Sequence, residues 1–590
     1  MVLLSMLCFM VACGQGGNSA DIAPPSAIVE PVSAGPLMAM PDPAPGSPAL
    51  AFSDLVNGPK TGWEGSATKG AAVSIWGIGF GSTRGSNYVT VNRANLVNDT
   101  DYAEWGASDN NARGLQRITF WLNNTCADGA GTITVTINGL TSNPLPFQVT
   151  SGNIYFISTT GSDLNSGRYS TSHGLLSGPW QHFYMANPIK HSLKGGDVVY
   201  VRGGNYDDLD EQGWMLYMRG PYNGDGPYFN IAGYPGEWPI LAQNITNVQG
   251  VAASYAAKIA SNWTAYITLS KFISYADTGG VDMTGGHHWR IIGNTFRSST
   301  RKLWAGIIGG GPGHDAFIYG NIIRDSGYDY YKHVVYFSAY WGNQLQSSVY
   351  DIDIGWNEVL NYRSDLGAAN TSGAGIFNFR NAQNPWACYN IWIHDNLVHD
   401  SPTAAFLKLE QATHDVYVYN NIGYNLIKQG SNSAIALLGV GSSSPGNTYI
   451  YNNTFYDIGS LDGSNLAPPY TYFIYLQSFA VSGSNTYSKN NIYYSVNGEP
   501  FYITGGTGKF YSDHDIFYGS AVPANGNLAL TNYLTADPRF MSLSSTSPDF
   551  HLQSTSPAIN AGTSDVSSVL NYDYDMISRP QNSAYDIGGL

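Results

Sequence analysis

Apolar and polar residues alternate in a short segment that recurs along the second half of the chain and ends each time in asparagine. Copies include "HHWRIIGNTF" (287–296), "HDAFIYGNII" (314–323) and "HDVYVYNNIG" (414–423), and the asparagines lie 25 to 39 residues apart. Alternation with period two is typical of β-strands. A second short apolar strand follows each asparagine, as in "VVYFS", "GIFNF" and "AFLKLE". The asparagines are Asn294, Asn321, Asn357, Asn396, Asn421, Asn453 and Asn491.

Several short strands per repeat, with no helical period between them, predict an all-β fold: a right-handed parallel β-helix spanning residues 151–590. In such a solenoid the inward side chains of one coil stack on those of the next. We expect the asparagines to turn the corner between sheets in the left-handed conformation, and their amides to hydrogen-bond from coil to coil. This asparagine column therefore receives a structural interpretation rather than a catalytic one.

A different strand pattern precedes the repeats. The segments "GAAVSIWGIGFG" (70–81) and "GTITVTINGLTSNPLPFQV" (131–149) alternate between Gly and Asn turns. They predict a small immunoglobulin-like β-sandwich over residues 51–150. These segments resemble IPT/TIG domains, and the resemblance implies a spacer or a binding module. No catalytic constellation is evident in this part of the sequence.

Two further segments extend the resemblance to known proteins. "NIYFISTTGSDLNSG" with "SLKGGDVVYVRGGNYDD" resembles the entry coil of pectate-lyase-like proteins, and "DPRFMSLSSTSPDFHLQSTSPAINAGT" with "DYDMISRPQNSAYDIGGL" resembles their closing segment. The resemblance covers about residues 153 to 590 and implies the β-helix fold. It does not specify an activity, because the superfamily contains lyases, hydrolases, epimerases and non-enzymes.

The first seventeen residues, "MVLLSMLCFMVACGQGG", resemble a bacterial lipoprotein signal (residues 1–13) with Cys13 as the lipidated residue. Residues 14–50 are rich in Pro, Ala, Gly and Ser and predict a disordered tether. We therefore expect an exported lipoprotein of the outer membrane or cell surface, or a secreted protein, whose membrane contact is the lipid alone. Cys126 and Cys388 fall in different predicted domains, so no disulfide is expected between them.

The amino-acid composition limits the classes of molecule that the protein can bind. Charged residues make up 12% of the 590, the net charge is −15, and no Lys/Arg-rich run occurs. A general nucleic-acid binder is therefore excluded, whereas a local basic pocket can still bind an anionic polysaccharide. We expect a monomer without an organic cofactor.

The candidate catalytic and binding residues lie on the strand after each asparagine. Strict alternation points Val335, Phe337 and Leu409 inward and assigns the intervening residues of three consecutive coils to the outer face. The outward positions are Val334, Tyr336 and Ser338, then Ile376, Asn378 and Arg380, then Phe406, Lys408 and Glu410. Coils lie about 4.8 Å apart, so these polar groups are predicted to form one patch.

That mixture suits β-elimination on a uronic-acid polymer. Arg380 neutralises the sugar carboxylate, Lys408 removes the C5 proton, and Tyr336 or His333 protonates the leaving oxygen. In the same scheme Glu410 and Asn378 are oxygen ligands for Ca²⁺. The arrangement is similar to that of chondroitinase-B-like and alginate lyases, which implies these roles by analogy.

Other interpretations stay open. Lys408 and Glu410 can form an ordinary surface ion pair worth less than about 1 kcal/mol. His333 is either a buried, hydrogen-bonded imidazole or an acid. A glycoside hydrolase would use Glu410 as acid with Asp365 or Asp329. A non-catalytic glycan-binding adhesin would need only amides and aromatic rings. The residues expected to bind substrate are Asn378, Arg363, Tyr331, Trp341 and Tyr475.

Two more acidic positions receive structural interpretations. Asp351 and Asp353 share a strand face and are expected to face solvent rather than to bind Ca²⁺. His394 and Asp395, beside the asparagine column, are interpreted as turn residues.

Overall fold

The computed structural model describes residues 41–590 with interruptions. The positions left out are 42, 64–65, 67, 109–112, 212, 223–225, 243–258, 276–279, 298–304, 328–331, 342–344, 364–374, 383–385, 404, 412, 428–434, 439–445, 460–473, 480–484, 497–500, 507–508, 520–521, 523–527 and 546. The predicted signal, Cys13 and most of the predicted tether therefore lie outside the described residues. No helix in the described part of the chain has the length and apolarity that crossing a membrane requires.

Parallel strands stacked in register form a right-handed parallel β-helix, as predicted, with three strands in a typical coil. We number the stacks in the order in which the chain enters them. Sheet 1 contains Ile154–Ile157, Val198–Val201, Phe229–Gly233, the second half of Ile259–Ser270, His287–Ile292, His314–Tyr319, Val349–Gly355, Cys388–His394, Thr413–Tyr419, Thr448–Tyr451, Asn485–Lys489, Lys509–Asp513 and Leu528–Thr531.

Sheets 2 and 3 complete each coil. Sheet 2 contains Asn205–Tyr206, Ile240–Ala242, Ile273–Tyr275, Thr295–Arg297, Ile322–Ser326, Glu358–Tyr362, Leu397–Ser401, Ile422–Leu426, Thr454–Ile458, Ile492–Val496 and Ile516–Tyr518. Sheet 3 contains Leu216–Tyr222, the first half of Ile259–Ser270, Val281–Asp282, Ala305–Gly310, Lys332–Ser338, Gly375–Ala382, Ala405–Gln411, Ile435–Leu438, Ile474–Phe479 and Phe501–Gly506.

Sheet 2 is the element that the sequence pattern missed. Its strands begin directly after each asparagine and span two to five residues, for example Thr295–Arg297 and Ile322–Ser326. The strand expected to follow each asparagine, such as Lys332–Ser338, is therefore the next one along the chain. Strands this short show too few alternations to stand out from a turn.

The asparagine column forms the expected ladder. The amide nitrogen of each member donates to the amide oxygen of the next, at 2.9–3.1 Å, from Asn294 to Asn491. Asp515 ends the ladder by accepting from Asn491 at 2.9 Å. The left-handed corner was assigned to the wrong residue, because the residue before each asparagine adopts it. These corner residues, with φ between 50° and 64°, are Gly293, Gly320, Trp356, Asp395, Asn420, Asn452 and Asn490.

The N-terminal β-sandwich consists of two sheets around one apolar cluster that includes Val73, Phe120 and Val135. One sheet contains, in spatial order, Ala49–Ser53, Lys69–Ile78, Gln116–Asn123 and Tyr102–Ser108. The other contains Asn57–Pro59, Leu145–Thr150, Gly129–Ile137, Tyr88–Val91 and Ala94–Leu96, with Leu140–Thr141 paired to Gly129–Ile137. Cys126 and Cys388 are free and buried.

The sandwich packs directly on the β-helix. Phe52 stacks on Trp76 and contacts Trp356, a corner residue of the solenoid. Beside this apolar contact, Lys271 of the β-helix places its Nζ 3.1 Å from the carboxylate of Asp54, and both side chains are buried. A buried ion pair at a junction is costly to break, because it leaves one charge without compensation.

The C-terminal segment returns along the corners. Asn420 donates to the carbonyl of Tyr572, Asn490 to Thr563 and Asn452 to Gly588. The remaining elements among the described residues are two antiparallel hairpins, one α-helical turn and three 3₁₀ turns. They are Tyr340–Trp341 with Leu345–Gln346, Phe540–Ser542 with Asp549–Leu552, Pro188–His191, Asp99–Asp101, Phe183–Ala186 and Ser564–Val566.

Candidate active site

Sheet 3 departs from strict alternation of buried and exposed side chains. Two consecutive residues are buried in the core cluster in each of three coils: Val334 with Val335, Ile376 with Phe377, and Phe406 with Leu407. The prediction that Val334, Ile376 and Phe406 face outward is therefore wrong. Strict alternation allows only every second residue of a strand to be buried on one face.

Tyr336, Ser338 and Asn378, which alternation also assigns to the outer face, are at most 7% exposed. Tyr336, Asn378 and Lys408 are in register on consecutive coils. Two residues further along, Ser338 is in register with Arg380, whose guanidinium lies 3.7 Å from the carboxylate of Glu410. We call this group the charged patch; its members are Tyr336, Ser338, Asn378, Arg380, Lys408 and Glu410.

One carboxylate connects the two cations of the charged patch. Lys408 Nζ lies 3.0 Å from Glu410 Oε1, and Arg380 Nε lies 3.7 Å from Glu410 Oε2. The side chains of Lys408, Glu410 and Arg380 are 21%, 16% and 32% exposed. The charged groups within the patch are therefore two cations and one anion, in a chain whose net charge is −15. Partial burial strengthens these interactions relative to those of a solvated surface pair.

His333 contributes to the floor of the charged patch rather than to its surface. It is 2% exposed, its Nδ1 lies 2.9 Å from the carbonyl oxygen of Gly375, and its Nε2 lies 3.1 Å from the amide of Asn378. The ring also stacks on Tyr336 at 5.1 Å. Both ring nitrogens contact the scaffold, so the buried, hydrogen-bonded interpretation is correct. His333 positions Asn378 and Tyr336.

Tyr336 retains its proton at neutral pH. Burial raises the pKa of its hydroxyl above the ordinary value, and the lowering influence of nearby Arg380 is smaller. A phenol in this environment can donate a proton or a hydrogen bond but cannot serve as a base at pH 7. The acid role predicted for Tyr336 is compatible with its environment.

The other residues expected to bind substrate are Tyr331, Trp341, Tyr475 and Arg363. Tyr331 lies outside the described residues. Trp341 belongs to the hairpin that begins two residues after Ser338, and Tyr475 is in register with Ala436, which is in register with Lys408. Nothing is described of the side chains of Trp341 and Tyr475. Arg363 is half-buried, and its amide donates to the carbonyl of Ser326 at the end of sheet 2.

The residues predicted to bind Ca²⁺ do not fit that ion. Ca²⁺ takes about six to eight oxygen ligands. The charged patch offers the carboxylate of Glu410, which already contacts two cations, and the buried amide oxygen of Asn378, which accepts no hydrogen bond within the described residues. A Ca²⁺ ion would have to displace both cations, and no step below depends on one.

The expectation that Asp353 faces solvent is also wrong. It is 2% exposed rather than solvated, and it accepts from His394 Nε2 at 2.7 Å. His394 Nδ1 in turn lies 2.8 Å from Asp395, which also accepts from Tyr572. Asp351 is hydrogen-bonded to Asn390. The sequence does not reveal this burial because it depends on which residues meet between coils, here Asp353 and His394.

The structure also contains a basic cleft that was not predicted from the sequence. It encloses about 290 Å³ between the sandwich and sheet 2, and Arg117, Arg297 and Arg324 line it together with Trp238 and Tyr275. Arg297 and Arg324 are in register on neighbouring coils. The signal was present in "TFR" and "IIR", which place Arg at the third residue after two ladder asparagines. The sequence pattern did not predict sheet 2, so it did not show that these two arginines are neighbours on one sheet.

Comparison with known proteins gives likenesses in structure only. No family model matches the sequence. No curated protein matches it either. The pectate lyase Pel9A is 14% identical with a TM-score of 0.40, covering 75% of this chain and 96% of its own. A Yersinia enterocolitica family 28 exopolygalacturonase is 9% identical with a TM-score of 0.39, covering 83% and 98%. A PL6 family alginate lyase, AlyGC, is 10% identical with a TM-score of 0.27, covering 68% and 58%. These values assign no activity to the chain.

Proposed function

We propose that the protein is a polysaccharide lyase that cleaves an acidic, uronic-acid-containing polysaccharide by β-elimination. The observation that carries the proposal is the charged patch itself. It brings two cations, a carboxylate, a buried amide and a protonated phenol together on three consecutive coils. An anionic polymer lying across the coils would meet a locally positive surface in an acidic protein.

The roles follow from position. Arg380, the most exposed of the three charged side chains, binds the sugar carboxylate and stabilises the negative charge that develops as C5 loses its proton. Lys408, acting as an uncharged amine, takes the proton from C5. The C4–O bond breaks as the C4–C5 double bond forms, and the Tyr336 hydroxyl protonates the departing oxygen.

The contacts of Glu410 favour elimination over hydrolysis. A hydrolase acid must arrive at the substrate with a proton, whereas the Glu410 carboxylate contacts two cations. Asp365 and Asp329, the predicted partners of a hydrolytic Glu410, lie outside the described residues. The arrangement around Glu410 therefore supports elimination.

Incubation with a panel of polyuronates tests the proposal. A lyase produces new reducing ends together with the ultraviolet absorbance of an unsaturated uronate. Reducing ends without that absorbance would replace the proposal by the hydrolase, and binding without cleavage would replace it by the adhesin. Lys408→Ala is expected to lower kcat by about 10²–10⁴-fold, the range for loss of a general base.

Lys489→Ala is the matched control. Lys489 is 19% exposed and pairs with Asp565 at 3.0 Å, so it resembles Lys408 in burial and pairing but lies outside the charged patch. It should retain full activity. A Lys408→Ala variant with wild-type kcat would disprove the role of Lys408 as base.

The predictions for the N-terminus extend the proposal. We infer export, lipidation of Cys13, and a spacer role for an IPT/TIG-like sandwich that presents a monomeric enzyme to polysaccharide outside the cell. Radiolabelled palmitate incorporated into the wild type but not into Cys13→Ala would support the anchor.

A further inference from the structure

A cluster of imidazoles lies on sheet 1, at the start of two consecutive strands and outside the charged patch. His287 and His314 are in register on neighbouring coils, and their rings stack in parallel at 4.8 Å. His288 follows His287 directly, and its Nδ1 lies 2.8 Å from Nδ1 of His287. One nitrogen from each of His287, His288 and His314 lies within 4.8 Å of the others.

The backbone explains how adjacent residues can converge. The residue that follows His287, and the residue that follows each position in register with it, adopts the left-handed conformation: φ is 54° at His288, 52° at Asp315, 56° at Asp351, 53° at Asn390 and 51° at Asp415. The kink interrupts the alternation of side chains that would otherwise send His287 and His288 to opposite faces. His288 occupies a position that the other four coils fill with Asp or Asn.

Asp315 organises the far side of two rings. Its carboxylate lies 2.6 Å from Nδ1 of His314 and 3.8 Å from Nε2 of His288. A carboxylate at one ring nitrogen orients the ring and makes the other nitrogen a better metal ligand. Asp315 therefore leaves Nε2 of His314 and Nδ1 of His288 for a ligand. A bound ion would replace the hydrogen bond between Nδ1 of His288 and Nδ1 of His287.

Stacking alone does not account for the cluster. The column that begins with His287 and His314 continues through Tyr350, Tyr389 and His414 at centroid distances of 4.5–5.5 Å. A phenol serves as well as an imidazole in such a column. His288 belongs to the left-handed column, where its ring stacks on Tyr266 at 4.2 Å, but neither of the two stacks requires three imidazoles to meet. Among the described residues, three metal-ligating side chains of this kind converge only here.

We propose that His287, His288 and His314 form a binding site for a divalent transition-metal ion, with Asp315 orienting the ligands. Imidazole nitrogens suit zinc, copper and nickel, whereas Ca²⁺ and Mg²⁺ prefer oxygen. Three protein ligands leave a coordination position open to water. The ion would link two consecutive coils of sheet 1, so its binding stabilises the fold. This site is independent of the proposed lyase activity.

Titration of the metal-free full-length chain with Zn²⁺ in a calorimeter tests the proposal, with Co²⁺ absorption as a second readout. We expect one equivalent to bind, visible Co²⁺ bands typical of nitrogen ligands, and a higher melting temperature. His288→Asn keeps a residue suited to the left-handed position, as Asn390 shows, but removes a ligand. It should abolish stoichiometric binding, and Asp315→Asn should weaken binding by about 10–100-fold.

His414→Tyr is the matched control. His414 belongs to the same stacked column and pairs with Asp415 at 2.9 Å, and no second imidazole is found near it in the described part of the chain. This variant should bind Zn²⁺ as the wild type does. Failure of the wild type to bind one equivalent, or unchanged binding by a folded His288→Asn, would overturn the proposal.

Discussion

Two clusters of opposite charges in this protein are built from similar residues but differ in their surroundings. The Asp395 cluster contains Asp395, His394, Asp353 and Arg113, with side chains at most 4% exposed. In the charged patch the ionised side chains Lys408, Glu410 and Arg380 are 16–32% exposed.

The Asp395 cluster joins three distant parts of the chain. Arg113 comes from the sandwich, Asp395 from the β-helix and Tyr572 from the C-terminal segment. The charged patch draws on neighbouring coils of a single sheet. A charge cluster closed by distant segments holds the fold together, whereas one open on a repetitive surface is available to a ligand. Burial and the origin of the partners therefore separate the structural cluster from the candidate site, although their residue types do not.

The largest expected effect is the loss of a buried charge. Asp395→Asn leaves His394 and Arg113 without their shared carboxylate, and removing one partner of a buried ion pair costs about 3–5 kcal/mol. Denaturant unfolding should report this loss. Activity of the remaining folded protein should stay at the wild-type level, because the charged patch is intact. An Asp395→Asn protein as stable as the wild type would show that the buried cluster contributes nothing.

The second prediction concerns pH. Asp353 and Asp395 outweigh the effect of burial and raise the pKa of His394 to about 9 from an unfolded value of 6.5. The folded protein then binds the proton more tightly. The resulting stabilisation, about 3 kcal/mol, is fully present below pH 6.5 and is lost as the pH rises to 9. Melting temperatures across this range should fall for the wild type and less steeply for His394→Gln. Equal slopes would contradict the assignment.

These two predictions concern contacts that could not be predicted from the sequence. Alternation and the recurring asparagine predicted the coils, the ladder and the shared face of Asn378, Lys408 and Glu410, because stacking repeats the same environment in every coil. The consecutive buried positions at Val334 and Val335, the burial of Asp353 and the cluster at Asp395 were not predicted. They depend on contacts between coils and with segments far along the chain, which leave no periodic trace.

A smaller effect is expected at the end of the ladder. Asp515 is buried and accepts from Asn491 and from two serine hydroxyls, and burial raises its pKa to about 6. Ionisation therefore costs stability as the pH rises from 4 to 6. Asp515→Asn should remove this fall, continue the amide ladder and stabilise the protein at pH 7 by about 2 kcal/mol, measured by denaturant unfolding. Destabilisation would show that the serines require a carboxylate.

The smallest effect on stability should come from the charged patch. Glu410→Gln breaks two partly exposed ion pairs, which together should cost less than about 1 kcal/mol. Turnover should nevertheless fall by about 10-fold or more, since Lys408 and Arg380 lose the carboxylate that positions both of them. A variant that loses stability as Asp395→Asn does would assign both clusters to the scaffold.

Other segments of the chain cover the corner residues of the β-helix, and this affects the order in which the protein can fold during synthesis. The corners at Gly293 and Gly320 face a sandwich that the ribosome has already released. Those at Asn420, Asn452 and Asn490 are capped by residues 563–588, which emerge only after all the coils have been made. Coils in the second half of the solenoid must therefore wait, with their backbone corners open to solvent or to a chaperone, until that late segment arrives.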